Sequence, residues 1–362
     1  MRDLRISIAA IVAFLISIGV VFIYSSSGIY ALETFGDKTF FLKRHVLFLL
    51  VAMVMTIGSM VIDYRDLQKA AKPLLVLTII LLVLVLVPGI GKSSFGARRW
   101  FKIGPFSFQP SEFAKITMLI YVSDFLARKR NQIKDLWFGF VPVILVLGAV
   151  CLLIVKQPDL GNTLLIGAIV MILMIIDGAK FKHIGGLMIM AAPALYYLVV
   201  KVPYRWKRIV SFWDPWADAQ GVGFQLTQSQ IALGSGGFYG IGLGKSIQKL
   251  FYLPAAHTDF ILSIIGEESG FIGTFIVVML FVAFIWQGAR IAKRTADPFG
   301  YFLSSGIVAM IGLQAVINIG VSIGAFPTKG LPLPFVSYGG SALIFNVIAV
   351  GLLLNISRIH DQ

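Results

Sequence analysis

One carboxylate in this 362-residue chain stands where a general base could act. Asp259 lies just before the apolar run that starts at Phe260, and Thr258 is suited to cap a helix there, so we expect Asp259 in the first helical turn. The helix dipole favours its ionised form, whereas partial burial raises its proton affinity. A carboxylate under both influences can take a proton in catalysis. The alternative is plain stabilisation of the helix terminus.

Cations cluster in two polar segments, one near residue 100 and one from 201 to 257. Arginine and lysine bind phosphate and diphosphate strongly, so these clusters predict an anionic ligand at the membrane surface. The alternative is that long loops simply carry solvated charges. The cations that we select for this phosphate or diphosphate ligand are Arg98, Arg99, Lys102, Lys245 and Lys249.

Two acidic sites fall within apolar runs, where a carboxylate is costly and is therefore a functional candidate. Glu112 and Lys115 are three residues apart, so they share a helical face and can pair. The pair either lines a cavity open to substrate or holds the helices together. Glu267 and Glu268 lie in a later run, where the alternatives are a buried anchor and a proton relay.

The sequence offers no cluster of His, Cys, Asp or Glu with metal-ligand spacing, so we predict no resident cofactor. A divalent cation, Mg²⁺ or Mn²⁺, could still assist chemistry at a diphosphate. The glycine-rich segment from Gly234 to Gly244 resembles a phosphate loop in composition only, because no strand is expected before it. We expect it to turn tightly at the membrane surface.

The amino-acid composition indicates which class of protein carries these residues. Hydrophobic residues make up 58% of the chain and charged residues only 13%, far from the roughly quarter that is charged in soluble domains. This excludes a soluble enzyme, a disordered protein and a nucleic-acid-binding domain, so no nucleic acid partner is expected. The net charge of +14 suits juxtamembrane cations and an anionic ligand. We predict an all-α polytopic membrane protein with one domain over residues 1–362.

Ten apolar spans can be marked, and we expect the first to remain as a membrane helix rather than a cleaved signal peptide. Between the seventh and eighth, residues 201–257 should form one large extracytoplasmic loop, either irregular or built of short helices; no strand alternation is visible. Inner segments hold fifteen cations against five in the short outer loops, which places both termini in the cytoplasm. The spans are roughly 6–27, 46–62, 73–90, 111–127, 137–155, 162–178, 182–200, 258–287, 300–324 and 336–356.

Several segments, in consistent order over nearly the whole chain, resemble the SEDS family (shape, elongation, division and sporulation). The resemblance is greater to the FtsW branch than to the RodA branch. The matching segments are Gly96-Ala97-Arg98-Arg99-Trp100, residues 109–115 and 157–161, Gln228-Ser229-Gln230 with the glycine-rich segment to Gly244, residues 248–260, and 327–341 with their Ser-Tyr-Gly-Gly-Ser end.

The resemblance implies a bacterial cytoplasmic membrane enzyme that polymerises lipid II outside the membrane beside a class B penicillin-binding protein, which supplies transpeptidation. It implies that Asp259 is the base and that Glu112 and Lys115 lie beside a central cavity. It adds His257 and Ser341 to the substrate-binding candidates. One departure is Ala255, which stands where the family usually has Glu; a base or metal ligand at that position is therefore absent.

The chemistry expected from the residues agrees with this resemblance. A sugar diphosphate is a good leaving group, so the site needs cations and one base, not the two carboxylates of a glycosidase. A groove between spans would accept the polyprenyl tail, which is a membrane lipid. Two alternatives stay open at this point: a flippase or transporter of a lipid-linked precursor, and a non-catalytic scaffold of the synthesis complex.

Overall fold

The computed structural model describes residues 1–94, 97–104, 106–130, 132–250 and 252–359; Gly96 of the first family motif lies outside these ranges. The described residues form twelve α-helices, two short helical turns (Gln132–Lys134 and Leu136–Phe140) and three short strands. The helices are α1 (Arg2–Phe35), α2 (Phe40–Val61), α3 (Tyr64–Leu84), α4 (Pro110–Arg128), α5 (Val141–Val155), α6 (Leu160–Ile176), α7 (Phe181–Val200), α8 (Pro203–Trp213), α9 (Phe224–Ser235), α10 (Ile261–Arg294), α11 (Pro298–Ser322) and α12 (Gly340–Ile359).

Ten of these helices, α1 to α7 and α10 to α12, coincide with the ten predicted spans, which confirms the all-α membrane fold. Within the described ranges, eight are long and apolar enough to cross a membrane; for α5 this includes a π-helical turn, Leu136–Phe140, that leads into it. The other two are α6, which has 17 residues, and α4, whose apolar run is interrupted by charged side chains. The chain is therefore a multi-pass membrane protein.

Helix α4 lies at the centre of the bundle, packed against α3, α6 and α11. Nearly all of its residues between Pro110 and Leu126 are buried, including Glu112 and Lys115. By contrast, α7 has no fully buried residue, although Ile184 and Leu187 pack against the core. The polar side chains of α4 are thus enclosed by protein, which is where a membrane protein can tolerate them.

Although no strand alternation is visible in the sequence, the structure contains three short strands. The segment between α3 and α4 forms a three-stranded antiparallel sheet, with β1 (Lys92–Ser94), β2 (Ala97–Ile103) and β3 (Phe106–Phe108) in sequential order. Two of the strands have only three residues, which is too short for an alternating pattern to be read from sequence. The sheet carries Arg98, Arg99 and Lys102 on β2.

Several predicted helix boundaries also differ from the structure. The third helix begins at Tyr64 and ends at Leu84, so it starts well before the predicted 73 and continues through Pro73. The eighth predicted span, α10, begins at Ile261 and is broken at Gly270, where φ is 67° and ψ is −162°. A Cβ at Gly270 would lie 2.6 Å from the carbonyl oxygen of Phe238, so the glycine-rich segment passes directly over this break.

The bundle has two different ends. We call the end where α10 begins the cavity end, and the opposite end the turn end. At the turn end α2 meets α3 through Ile62 and Asp63, and α10 meets α11 through residues 295–297. Asp63 and Asp297 cap α3 and α11, and the Tyr64 hydroxyl donates to Asp297 at 3.1 Å. Residues 201–257, which contain α8 and α9, lie at the cavity end.

Candidate functional site

A cavity of about 1440 Å³ opens at the cavity end. Its wall combines parts of α1, β2, α6 and α8 with the segment before α10 and the loop between α11 and α12. The titratable and charged side chains in this wall are Arg99, Asp159, Tyr204, Arg205, Arg208, Lys249, His257, Asp259 and Lys329, together with Tyr30. The cavity therefore brings together residues that are far apart along the chain.

Asp259 lines this cavity and is half-buried, two residues before α10 begins. The prediction that Thr258 caps the helix is wrong: its hydroxyl donates to the carbonyl oxygen of Ala255 at 3.1 Å. Ala255, at φ 58°, turns the chain so that the same oxygen accepts the backbone N–H groups of Thr258 and Asp259 at 3.0 and 3.1 Å. Asp259 thus sits on a compact turn instead of in the first helical turn.

The environment of Asp259 raises the proton affinity of its carboxylate. Burial raises the pKa of the Asp259 carboxyl to about 6, and the positive charge of Arg208 opposes this shift. The carboxylate is therefore mostly ionised at pH 7 yet has an unusually high proton affinity. These are the properties that a general base requires.

His257 lines the same cavity and lies in an aromatic cluster. Its ring centroid is 4.5 Å from that of Phe41, 5.8 Å from Tyr338 and 6.0 Å from Tyr30. Burial lowers the pKa of His257 to about 4, so the imidazole is neutral at pH 7. His257 remains a substrate-binding candidate, as a neutral group that could donate or accept a hydrogen bond.

Among the cations predicted for the diphosphate, Arg99 and Lys249 line the cavity. The Arg99 guanidinium donates to the carbonyl oxygens of Gln157 and Pro158 at 2.8 and 2.5 Å, which fixes it next to the start of α6. Lys249 is buried, and its ammonium lies 2.8 Å from Glu268 and 3.2 Å from the Ser25 hydroxyl. Its charge is thus already neutralised.

The other three predicted cations lie elsewhere. Arg98, Lys102 and Lys245 are exposed, and none of them lines the cavity. In their place, the structure brings Arg205 and Arg208 from α8 and Lys329 from the loop before α12. The sequence showed that α8 is rich in cations on the outer side, but no local pattern indicates which of them meet Asp259.

The acidic pair Glu267 and Glu268 holds the glycine-rich segment in place. Glu267 accepts the Ser246 hydroxyl and the backbone N–H of Ile247, the latter at 2.9 Å. Glu268 accepts the backbone N–H of Gly244 at 3.0 Å in addition to the Lys249 ammonium. Both carboxylates are therefore anchors for this segment, as one of the two interpretations from the sequence proposed.

Glu112 and Lys115 form a buried ion pair, with 2.7 Å between the Lys115 ammonium and Glu112 Oε2. Neither side chain lines the cavity. Asn162, which follows the cavity residue Asp159 on α6, donates to Asp159 at 2.9 Å and to Glu112 at 3.4 Å. The pair is thus connected to the cavity wall through a polar network and lies behind it.

Ser341 is also behind the wall. Its hydroxyl accepts the backbone N–H of Gln109 at 3.1 Å and donates to the carbonyl oxygen of Ser107 at 2.7 Å, so it joins α12 to the β3–α4 connection. In the described part of the chain, no three His, Cys, Asp or Glu side chains come together as a metal site. Assistance by a divalent cation stays a prediction.

Comparison with known proteins shows which family this chain belongs to. The sequence model of the FtsW/RodA/SpoVE family, described as cell cycle proteins, matches residues 5–362. The chain belongs to this family. The resemblance found in the sequence motifs is thereby confirmed.

Curated relatives extend over almost the whole chain. The probable peptidoglycan glycosyltransferase FtsW of Trichlorobacter lovleyi is 47% identical over 343 residues, which cover 95% of this chain and 90% of the relative. Stage V sporulation protein E of Bacillus subtilis is 43% identical over 345 residues, covering 95% and 94%. The greater similarity to FtsW than to RodA agrees with the sequence motifs.

Solved structures share the fold. A chain from "Structural coordination of polymerization and crosslinking by a peptidoglycan synthase complex" matches with a TM-score of 0.79 and 28% identity, covering 100% of this chain and 98% of that one. The rod shape determining protein RodA of Thermus thermophilus matches with a TM-score of 0.73 and 28% identity, covering 98% and 97%. The arrangement of helices described above is therefore that of the family.

Proposed function

We propose that this chain is a peptidoglycan glycosyltransferase that polymerises lipid II into glycan strands, with Asp259 as the general base. The observation that carries the proposal is a half-buried carboxylate of raised pKa in a cavity lined by arginine and lysine. A polymerase that uses a sugar diphosphate needs this combination of a base and cations. The relatives named as peptidoglycan glycosyltransferases support the same activity.

The reaction forms one bond and breaks one. The acceptor hydroxyl oxygen bonds to the anomeric carbon of the donor sugar, and the bond from that carbon to the diphosphate oxygen breaks with its electron pair leaving on the diphosphate. Asp259 takes the hydroxyl proton. A single displacement inverts the anomeric carbon, so an α-linked donor gives a β-linked strand. The diphosphate is stable as an anion, so the leaving group needs no protein acid.

The cavity cations hold this leaving group. Arg208 and Lys329 line the cavity, and neither forms an ion pair with any residue that the structure describes. Burial lowers the pKa of Lys329, because desolvation disfavours its charged form. An anionic headgroup next to it would favour that form. We therefore assign Arg208 and Lys329 to the diphosphate, with Arg99 and Arg205 beside them.

The remaining predicted contacts have weaker support. Lys249 is neutralised by Glu268, so we assign it to shaping the cavity wall. The cavity that contains Asp259 is not lined by Arg98, Lys102 or Lys245. A role for these three cations in binding the diphosphate stays a prediction. A role for Mg²⁺ or Mn²⁺ is likewise a prediction, because diphosphate chemistry often uses such an ion.

We place the protein in the bacterial cytoplasmic membrane, with both termini in the cytoplasm and the cavity end outside. The excess of cations on the side of the termini supports this orientation. Residues 201–257 are then extracytoplasmic. The polyprenyl tail of lipid II would remain in the bilayer, next to the apolar outer faces of the helices.

We also propose that the chain works beside a class B penicillin-binding protein, which would crosslink the strands. The matching chain from a peptidoglycan synthase complex in which polymerisation and crosslinking are coordinated supports such a pairing. Polymerisation and transpeptidation would then occur on the same side of the membrane.

The decisive experiment is to incubate the purified protein, alone and with its transpeptidase partner, with labelled lipid II. We expect glycan polymer in at least the second reaction, and none in either reaction with Asp259→Ala. A flippase would instead move labelled lipid II between vesicle leaflets without forming polymer. A scaffold would form no polymer and would tolerate Asp259→Asn in cells.

A further inference from the structure

Two buried amides on α11 lie directly behind the cavity. Gln314 and Asn318 are four residues apart, so they occupy one face of the helix, and both are almost fully buried. Neither lines the cavity. Their hydrogen bonds nevertheless reach the two segments that carry Asp259 and Lys329. We call Gln314 and Asn318 the amide pair.

Asn318 joins these two segments to each other. Its side-chain N–H₂ group donates to the carbonyl oxygen of Asp259 at 2.8 Å and to the carbonyl oxygen of Leu331 at 2.8 Å. Both N–H bonds of the amide are thereby used. The backbone of Asp259 and the loop that contains Lys329 are thus held at a fixed separation by one side chain.

Gly330 completes the contact on the cavity side. A Cβ built at Gly330 would lie 3.1 Å from Asp259 Oδ2, which is closer than most Cβ contacts. The Asp259 carboxylate therefore rests against bare backbone, and its distance from Lys329, the residue before Gly330, depends on the absence of a side chain there.

Gln314 fixes the same loop one residue further on. Its N–H₂ group donates to the carbonyl oxygen of Pro332 at 3.0 Å, and its amide oxygen faces the Lys115 ammonium at 3.4 Å. An ammonium can only donate, so Lys115 requires the oxygen of Gln314 on its side and leaves the N–H₂ group for Pro332. The Glu112–Lys115 ion pair in this way sets the direction of the Gln314 amide.

We propose that the amide pair is a positioning clamp that holds the Asp259 carboxylate against residues 329–332, and that the Glu112–Lys115 pair acts in the same clamp through Gln314. The proposal rests on the proposed function of Asp259 as the base. It gives a role to the ion pair on α4 although that pair does not contact the cavity. The residues of the clamp touch no reacting atom and are positioning residues.

The chain offers a matched control for Asn318. Asn355 on α12 also uses its N–H₂ group to join two carbonyl oxygens, those of Met60 and Ile62, at 2.7 and 2.8 Å, but at the turn end. Replacing either asparagine by leucine leaves two carbonyl oxygens without their donor, and Asn355→Leu also removes the acceptor of the Tyr64 backbone N–H, which lies 3.3 Å from Asn355 Oδ1. Asn355→Leu should therefore lose at least as much thermal stability as Asn318→Leu, while only Asn318→Leu disturbs Asp259.

The test measures lipid II polymerisation and thermal stability of Asn318→Leu and Asn355→Leu in detergent. We expect Asn318→Leu to lower turnover by about 10- to 100-fold, because a displaced catalytic group loses that much rate. Its acid limb in the pH–rate profile should move to lower pH, since a loosened Asp259 becomes better solvated. Asn355→Leu should keep wild-type turnover and the wild-type limb.

The shift of the acid limb reports on Asp259 only if the surrounding charges are unchanged. Arg208 on α8 acts directly on the pKa of Asp259. The other charged and titratable groups that share the cavity wall with Asp259 are Tyr30, Arg99, Asp159, Tyr204, Arg205, Lys249, His257 and Lys329. All of these groups are retained in the variants. A loss of stability elsewhere would lower the amount of folded protein without moving the limb.

Gly330→Ala tests the same contact without removing a buried donor. Its methyl group would push the Asp259 carboxylate away from the loop, and Gly330 is exposed, so folding should be retained. We expect turnover to fall by about tenfold. This variant decides the matter if Asn318→Leu does not fold.

The outcomes separate the clamp from the proposed function. Absence of polymer from the unsubstituted protein with its partner would overturn the glycosyltransferase assignment and the clamp with it. One set of results would overturn the clamp alone. In it the wild type is active and Asp259→Asn is inactive, but Gly330→Ala and folded Asn318→Leu both keep the wild-type turnover and the wild-type acid limb.

Discussion

The cavity end and the turn end of this bundle differ in whether their charged side chains are bound by other parts of the protein. At the turn end, the connections are short, and the carboxylates of Asp63 and Asp297 accept backbone N–H groups of the helices that they precede. At the cavity end the connections that lead into α4, α10 and α12 are long, and Arg208 and Lys329 line a cavity of about 1440 Å³. The turn end closes the helices, while the cavity end keeps a positive potential available to an anionic ligand.

The cavities at the two ends also differ in the charges of their lining side chains. The turn end has a smaller one of about 330 Å³, lined by Arg130, Asp177 and Tyr301 among others, with both signs of charge. At the cavity end, arginine and lysine outnumber the carboxylates in the wall. The difference indicates that substitutions at the turn end should mainly alter stability, and that substitutions at the cavity end should alter turnover.

The largest effect expected from this contrast is that of Asp259→Asn. The amide keeps the shape of the side chain but cannot take a proton, so turnover should fall by about 10²- to 10⁴-fold. Asp214→Asn is the matched control, since Asp214 is an exposed aspartate of the same 201–260 region that does not line the cavity. Polymer yield and thermal stability would be measured for both. Equal turnover in the two variants would contradict the assignment of Asp259.

A second large effect is expected from Lys249→Met. The substitution leaves the buried Glu268 without its cation, and breaking a buried ion pair costs about 3–5 kcal/mol. Lys69→Met at the turn end is the control, because the Lys69–Asp66 pair has a similar length of 2.8 Å but is exposed. Thermal unfolding in detergent should show a clear loss for Lys249→Met and no measurable change for Lys69→Met. A comparable loss in both would remove the distinction between the two pairs.

An intermediate effect is expected from pH. As the proposed base, Asp259 would act in its ionised form, so turnover should fall about tenfold for each pH unit below its pKa of about 6 and level off above it. Arg208 lowers that pKa, so Arg208→Gln should move the acid limb to higher pH. The measurement is the pH–rate profile of polymerisation at saturating lipid II. An unmoved limb in Arg208→Gln would show that this arginine does not act on Asp259.

The smallest effect is expected at the turn end. Asp297→Ala removes the side chain that caps α11, which costs about 1 kcal/mol. It also removes the acceptor of the Tyr64 hydroxyl. Turnover of the folded protein should equal that of the wild type. A large loss of turnover with unchanged stability would show that the two ends are functionally coupled.

The helices could be predicted because the signals that define them are local. Each of the ten spans is an apolar run within one stretch of chain, and Glu112 and Lys115 could be paired because they are three residues apart. The strands were missed because β1 and β3 have only three residues. The Thr258 cap was wrong because the turn at Ala255 uses that hydroxyl instead.

The composition of the site could be predicted only in part. Asp259 and His257 were found through their motif, whereas Arg208 and Lys329 meet them from segments about 50 and 70 residues away along the chain. The contacts of Asn318 with Asp259 and Leu331 depend on packing between elements, which has no pattern in the sequence. The family motifs supplied the candidates, and the tertiary arrangement decides which of them share a wall.

The break at Gly270 divides α10 into two parts with different surroundings. The part from Ile261 to Glu268 is buried, whereas Phe271, Phe275 and Trp286 beyond the break are exposed. A tilt of the lipid-facing part, such as a change in bilayer thickness would impose, can be taken up at the glycine. The segment that carries Asp259 would then keep its position when the lipid-facing part tilts, so the geometry of the proposed site would be the same in bilayers of different thickness.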